Sequence, residues 1–218
     1  DAPRDTIAAL DVSTGALDPW ALPYVFQHPV RIGGKLVSSV TARDRVSRTY
    51  VAAVDASTGV IQPWAADVPP SFTVSALAAD AATGRLYVAA SREIRRYDAA
   101  TGALDRTWQL NIDYAGFPPS VSAMHVANGQ LYVTGLFDLA RDSASGPWQA
   151  REGAAAISAS GVLSTWRPRV RPLCTALGPA GSVTFPCVRQ MQVVAGRIVL
   201  GGTVERIGAP GEPARSVM

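Results

Sequence analysis

At 218 residues the chain is long enough to bury one substantial core or to close one ring of repeats. Its 19 Gly and 16 Pro favour short strands joined by turns over long helices, and a hydrophobic fraction of 48% excludes disorder. The net charge of +3 is spread along the sequence and carried by Arg, Lys35 being the only lysine. It gives no reason to propose a nucleic-acid partner, and no apolar run is long enough for a membrane-spanning helix. The chain starts at Asp1 without Met, as expected of a mature, trimmed or excised piece.

In chain order, the first pattern is Ala9-Leu10-Asp11-Val12-Ser13-Thr14-Gly15 followed by Trp20. It returns as Ala53-Val54-Asp55-Ala56-Ser57-Thr58-Gly59 with Trp64, as Tyr97-Asp98-Ala99-Ala100-Thr101-Gly102 with Trp108, and more weakly as Ile157-Ser158-Ala159-Ser160-Gly161 with Trp166. The glycines recur at intervals of 44, 43 and 59 residues. A second pattern advances between these copies: Gly34-Lys35-Leu36-Val37, Gly84-Arg85-Leu86-Tyr87-Val88, Gly129-Gln130-Leu131-Tyr132-Val133 and Gly196-Arg197-Ile198-Val199-Leu200. Thr-Gly and Asn-Gly suit tight turns, and the Asp or Ser ahead of them can bond the turn backbone. Leu-Tyr-Val and Tyr-Val-Ala-Ala-Val are β-prone. Strands are therefore expected near 73–79, 85–90, 93–98 and 103–110, and again near 121–127, 130–136, 154–159 and 162–167.

Four short antiparallel strands per unit, at a period in the mid-forties, predict an all-β fold of the β-propeller type with about four blades, a β-sandwich being the alternative. The expected units are 21–66, 67–110, 111–167 with an insertion at 138–153, and a partial unit at 168–207 that contains a Cys-bearing connector. The final unit lacks a strand pair at its C-terminal side, while residues 1–20 supply one as Ile7–Val12 and Ala16–Trp20. Either these strands close the ring, or the chain is part of a larger propeller completed by another segment or chain.

The units resemble bacterial extracellular repeat proteins of the delta-60-like β-propeller type. The resemblance rests on Leu131-Tyr132-Val133-Thr134-Gly135-Leu136-Phe137, on Ile198-Val199-Leu200-Gly201-Gly202-Thr203, and on Ile7-Ala8-Ala9-Leu10-Asp11 through Trp20, with Arg4 ahead of that strand. Ser38-Ser39 and Ala89-Ala90 stand where the family pattern has Gly-Gly. The resemblance implies a secreted or surface-exposed module, often part of a larger protein, and brings no settled catalytic set. Asp-x-x-Thr-Gly…Trp also resembles the repeat of quinoprotein alcohol dehydrogenases, but this chain is too short for their eight blades and has no vicinal Cys pair.

Candidate chemistry is sparse. Asp11, Asp55 and Asp98, with Gly15, Gly59, Gly102 and Gly161, are expected to build turns. Trp20, Trp64, Trp108 and Trp166 are expected to pack between neighbouring units, exposed sugar platforms being the alternative. His28 falls at an expected turn or strand start, and His125 within an expected innermost strand. Trp148 stands outside the repeat, in the polar insertion, and with Arg141 and Asp138 forms the first candidate binding set; the same insertion read plainly is a solvated loop. Calcium held by Asp138 and Asp142 matches no known loop spacing, and no other cofactor is expected. Arg167, Arg169 and Arg171 form the densest basic stretch, suited to an acidic surface or anionic glycan, or else to an extended connector. Cys174 and Cys187 can close a disulfide, which implies an oxidising compartment, or remain two thiols. These features point to a non-catalytic scaffold or adhesion module of a larger extracellular assembly. The alternatives are a carbohydrate-binding lectin or, with less support, a glycan hydrolase or lyase.

Overall fold

In the computed structural model the described residues are 10–17, 25–41, 49–66, 68–69, 73–115, 118–171, 174–178, 181–185, 188–202, 206–208 and 215–216. Among them the protein is all-β with antiparallel sheets and no helix, so none crosses a membrane as one.

The first sheet runs in order through β1 (Val25–Ile32), β2 (Lys35–Thr41), β3 (Thr49–Asp55) and β4 (Ile61–Ala65). The second follows as β5 (Val74–Asp80), β6 (Arg85–Ala90), β7 (Glu93–Asp98) and β8 (Leu104–Asp113). In the third, β9 (Ser120–Ala127) pairs with β10 (Gln130–Leu136). The expected insertion loop at 138–153 is instead a short hairpin, β11 (Leu139–Arg141) and β12 (Gln149–Ala150). This hairpin joins the second sheet, with Leu139, Ala140 and Arg141 opposite Asp113, Ile112 and Asn111 of β8. After it, β13 (Ala154–Ser158) returns to β10.

The strand expected at 162–167 is reduced to the bridge between Ile157 and Leu163, with the Ser164 N–H donating to the Ala156 carbonyl at 2.8 Å. Beyond it lie β14 (Arg169–Arg171), β15 (Cys174–Gly178), β16 (Gly181–Phe185), β17 (Val188–Val194), β18 (Arg197–Gly202), β19 (Arg206–Gly208) and β20 (Arg215–Ser216). The connector expected between the third and last units thus carries a β15–β16 hairpin, and β14, β19 and β20 form a small sheet of their own. Of the N-terminal strands, the bridge between Leu10 and Leu17 is described; Arg4, Ile7 and Trp20 lie outside the described residues.

The two sequence patterns advance together because they are hydrogen-bonded to each other in each of the first three units. Ala56, Ala99 and Ala159 donate their N–H groups to the carbonyls of Gly34, Gly84 and Gly129, at 2.8, 2.9 and 3.0 Å. The first strands of successive sheets lie side by side, β1 against β5, β5 against β9 and β9 against β17. Each inner sheet is consequently buried on both faces. Leu86, Val88 and Ala90 of β6 pack with Val37, Val51 and Trp64 of the first sheet, while Tyr87 and Ala89 face Met124, Leu131 and Ile157 of the third. Double-sided burial explains why these strands read as continuous apolar runs rather than as alternation. A further core joins Ala123 and Ala154 to Val170, Val188 and Met191.

Candidate functional site

The repeated carboxylates are committed to turns. Asp55 Oδ1 accepts from the N–H and hydroxyl of Ser57 at 2.9 and 2.5 Å and from the N–H and hydroxyl of Thr58 at 2.9 and 3.1 Å. Asp11 repeats this set on Ser13 and Thr14, and Asp98 does so on the N–H groups of Ala100 and Thr101 and the Thr101 hydroxyl. Donors converging on one oxygen favour the ionised form. Asp11 and Asp55 are held at about 2, in each case chiefly by the serine hydroxyl, and Asp98 is lowered chiefly by the Thr101 N–H. Gly15, Gly59 and Gly102 close these turns with φ near +70°. Asp80 caps a fourth such turn through Ala82 and Thr83. Its Asp-Ala-Ala-Thr-Gly spelling is the same as that at Asp98, but no Trp follows and the sequence reading passed over it.

Among the described residues the repeated tryptophans Trp64, Trp108 and Trp166 lie between sheets. Trp108 is 1% exposed and meets Tyr87 edge-on at 5.0 Å, and its Nε1–H donates to the Ser158 carbonyl of the third unit at 3.0 Å. Gly161, at φ +85°, sits so close to that indole that a Cβ would come within 3.2 Å of Trp108 Cδ1. Trp64 is buried between the first and second sheets, and Trp166 meets Tyr132 edge-on at 5.2 Å beside the third core. Cations span the same gaps. Lys35 Nζ lies over Trp64 and reaches the Ala100 carbonyl at 3.2 Å, while Arg96 lies over Trp108 and donates to the Ala159 carbonyl. No sequence pattern marks Arg96, whereas Lys35 falls within the second pattern, where Arg85, Gln130 and Arg197 hold the same position.

The insertion hairpin gathers the first candidate set. Arg141 stacks over the Trp148 ring at 4.3 Å, and the indole remains 39% exposed. Asp138 Oδ1 and Arg141 Nε are buried without a hydrogen-bond partner. The base of the hairpin is fixed: Phe137 and Ala140 are buried, and the Arg151 N–H donates to the Asp138 carbonyl at 2.7 Å. Gly153, at φ +77°, has no room for a Cβ because the Val170 carbonyl occupies that place.

Arg151, which the sequence reading did not single out, is the main pin. It is 4% exposed, and its guanidinium donates to the carbonyls of Ala150 and Ser164 at 2.8 and 2.9 Å and to Gln149 Oε1 at 3.1 Å. Among the described residues no carboxylate stands at ion-pair distance from it. Burial lowers its pKa, helped by Arg167 and opposed by Asp142. Asp142 Oδ2 accepts the Leu163 N–H at 3.0 Å, so its carboxylate ties the hairpin to the segment that would otherwise continue as a fourth strand.

Arg167 is exposed, Arg169 Nε pairs with Glu152 at 2.9 Å, and the side chain of Arg171 lies outside the described residues. Cys187 also lies outside them, so the disulfide with Cys174 is not described; Cys174 itself stands on β15 opposite Phe185. His28 occupies a bulge in β1 with φ +54°, and His125 stands on β9 opposite Tyr132, its pKa lowered by burial. Among the described residues no three His, Cys, Asp or Glu side chains converge on a metal position.

No protein family and no curated protein matches the chain. Solved structures do. The computationally designed Ika4 protein is similar at 15% identity and a TM-score of 0.47, with 85% of this chain and 91% of that one covered. The extracellular domain of the putative one component system BT4673 from B. thetaiotaomicron is similar at 14% identity and a TM-score of 0.49, covering 89% of this chain and 23% of that one. The isopeptidase AtxE2 in its apo form is similar at 15% identity and a TM-score of 0.42, covering 80% and 28%. The chain thus spans about a quarter of the length of the last two.

Proposed function

We propose that the chain is a non-catalytic β-propeller module of an extracellular or cell-surface assembly, and that it makes contact through the insertion hairpin. The observation that carries this reading is the contrast within that hairpin. Its base is locked by Arg151, Ala140 and Gly153, while its tip presents a partly exposed Trp148 already oriented by Arg141. A pre-oriented aromatic with an adjacent guanidinium suits a contact residue, because little side-chain freedom is left to lose on binding. The secreted location follows from the repeat resemblance. Exposed indole beside polar groups also suits a sugar face, which supports the lectin alternative.

Wild type and Trp148→Ala are compared on a glycan array and, in native mass spectrometry, for association with neighbouring domains of the assembly. Glycan binding that vanishes in Trp148→Ala selects the lectin form; protein association that vanishes selects the scaffold form. Binding of either kind that proceeds undiminished in the variant removes the hairpin from the contact.

The propeller reading has a separate test. In the first three units the second and third strands pair Leu36 with Val54, Leu86 with Tyr97 and Leu131 with Ile157. The equivalent residues at the ends of the chain are Ile198 and Leu10. Leu10 is 63% exposed and ends in the same capped turn, and no strand covers the outer edge of β18 among the described residues. With Cys174 and Cys187 changed to Ser, Leu10→Cys and Ile198→Cys are expected to form a disulfide within one chain. A crosslink between chains, or none, rejects closure by the N-terminal strands.

A further inference from the structure

A cavity of about 230 Å³ lies on β6, β7 and β8, beside Val68 and Pro69 of the segment that follows the first sheet. Its floor is apolar: Val88 and Ala90 of β6, Tyr97 of β7 and Leu104 of β8. Val68 and Pro69 line it as well, and three charged side chains complete it. Glu93 and Arg95 neutralise each other, with Arg95 Nε and a terminal guanidinium nitrogen at 2.7 and 2.5 Å from the same Glu93 oxygen. The third is Arg106, which forms no ion pair among the described residues.

Arg106 owes its position to a break in the ladder. Arg95 pairs with Gln109, but the next residue, Arg96, pairs with Asp105, so residues 106–108 bulge out of β8. Asp105 fixes the bulge. One of its oxygens accepts the N–H and hydroxyl of Thr107 at 3.0 and 2.7 Å, and the other accepts two donors of Arg96 at 3.0 and 2.7 Å. Bulges re-aim side chains next to binding sites, and this one sets the exposed Arg106 at the edge of a cavity with an apolar floor. Two arginines against one carboxylate leave a single positive charge there.

We propose that this cavity binds a small monocarboxylate with an apolar, ring-sized body. The body occupies the space over Tyr97, Val88 and Leu104, and its carboxylate accepts the fork of Arg106. The volume equals about seven or eight waters at roughly 30 Å³ each, room for a single ring and its acid group. The cavity shares the second sheet with the insertion hairpin, but none of its lining residues belongs to the hairpin, and it stands independently of the function proposed there.

Phenylacetate is the probe, with benzyl alcohol as the neutral control, followed by chemical-shift perturbation and titration calorimetry on the whole chain. Phenylacetate is expected to shift Tyr97 and Leu104, to bind at least tenfold more tightly than benzyl alcohol, and to weaken as salt rises. Arg106→Gln is expected to reduce phenylacetate affinity at least tenfold and to leave benzyl alcohol unchanged. Ala90→Leu, which fills the floor without touching the charge, is expected to weaken both probes. Equal binding of acid and alcohol, undiminished binding by Arg106→Gln, or shifts mapping elsewhere would overturn the proposal.

Discussion

The second and third units start from the same pair of sequence patterns and end differently. In the second, β5 to β8 form a complete four-stranded ladder, and Arg96 and Trp108 reach across to carbonyls of the next unit. In the third, only β9, β10 and β13 pair, and the fourth strand shrinks to one bridge. The lost strand and the added hairpin are two sides of one exchange. β8 runs on to Asp113, and its last three residues offer an open edge that β11 occupies. The hairpin then takes the Leu163 N–H with Asp142 and the Ser164 carbonyl with Arg151, groups within the stretch expected to make the fourth strand. A repeat can therefore surrender ladder bonds at its outer edge when an inserted segment satisfies the same backbone groups, since what burial requires is a partner rather than a particular one.

The largest contrast between these regions is carried by two tryptophans. Trp108→Ala removes a buried ring and leaves the Ser158 carbonyl without its donor, and is expected to cost about 3–5 kcal/mol in urea denaturation. Trp148→Ala is expected to change stability by no more than about 0.5 kcal/mol. Similar losses for both would show that the hairpin tip belongs to the core.

Arg151→Ala ranks next. It strands the Ser164 and Ala150 carbonyls and is expected to cost about 2 kcal/mol. The accompanying sign is faster hydrogen exchange at Arg141 and Leu163, with β6 and β7 unchanged, because the hairpin loosens before the second sheet does. Arg151→Lys is expected to recover only part of the loss, since an ammonium lacks the planar fork that serves three acceptors. Uniform acceleration across all sheets would contradict a local pin.

The smallest effect belongs to the turns. The Asp11 and Asp55 carboxyls sit at about 2 in the folded chain against an ordinary 3.8, and Asp98 is lowered as well. A lowered folded value means stability that is fully present above the ordinary pKa and is lost as pH falls through about 2. Thermal melts of Asp55→Ala are expected to show a shallower acid slope between about pH 4 and pH 2 than wild type, with a small difference at neutral pH. An unchanged acid slope would remove the carboxylate from the account.

Much of the second unit was legible as sequence. Its strands lie within a few residues of the expected positions, and the Asp-x-x-Thr-Gly turns bond as their spelling indicates. The candidate site was less legible. Trp148 and Arg141 stood out because they fall outside the repeat, yet their insertion looked like a solvated loop because two or three paired residues on each arm leave no periodic pattern. Arg151 and Arg106 carried no signal, being single cations whose surroundings come from other segments, and the pattern that holds Lys35 gives no mark of the Trp64 it covers.

The sequence by itself determined the repeat and its turns, because those hydrogen bonds span two or three residues and every donor and acceptor is written beside its partner. Only the tertiary structure decided that the insertion would pair with β8, that Arg151 would be buried among carbonyls, and that a bulge would bring Arg106 to a cavity. Those outcomes depend on which edge stays open and on register between distant segments. The Trp108 indole meets a carbonyl fifty positions away, a relation that stacking of the sheets creates and no local pattern records.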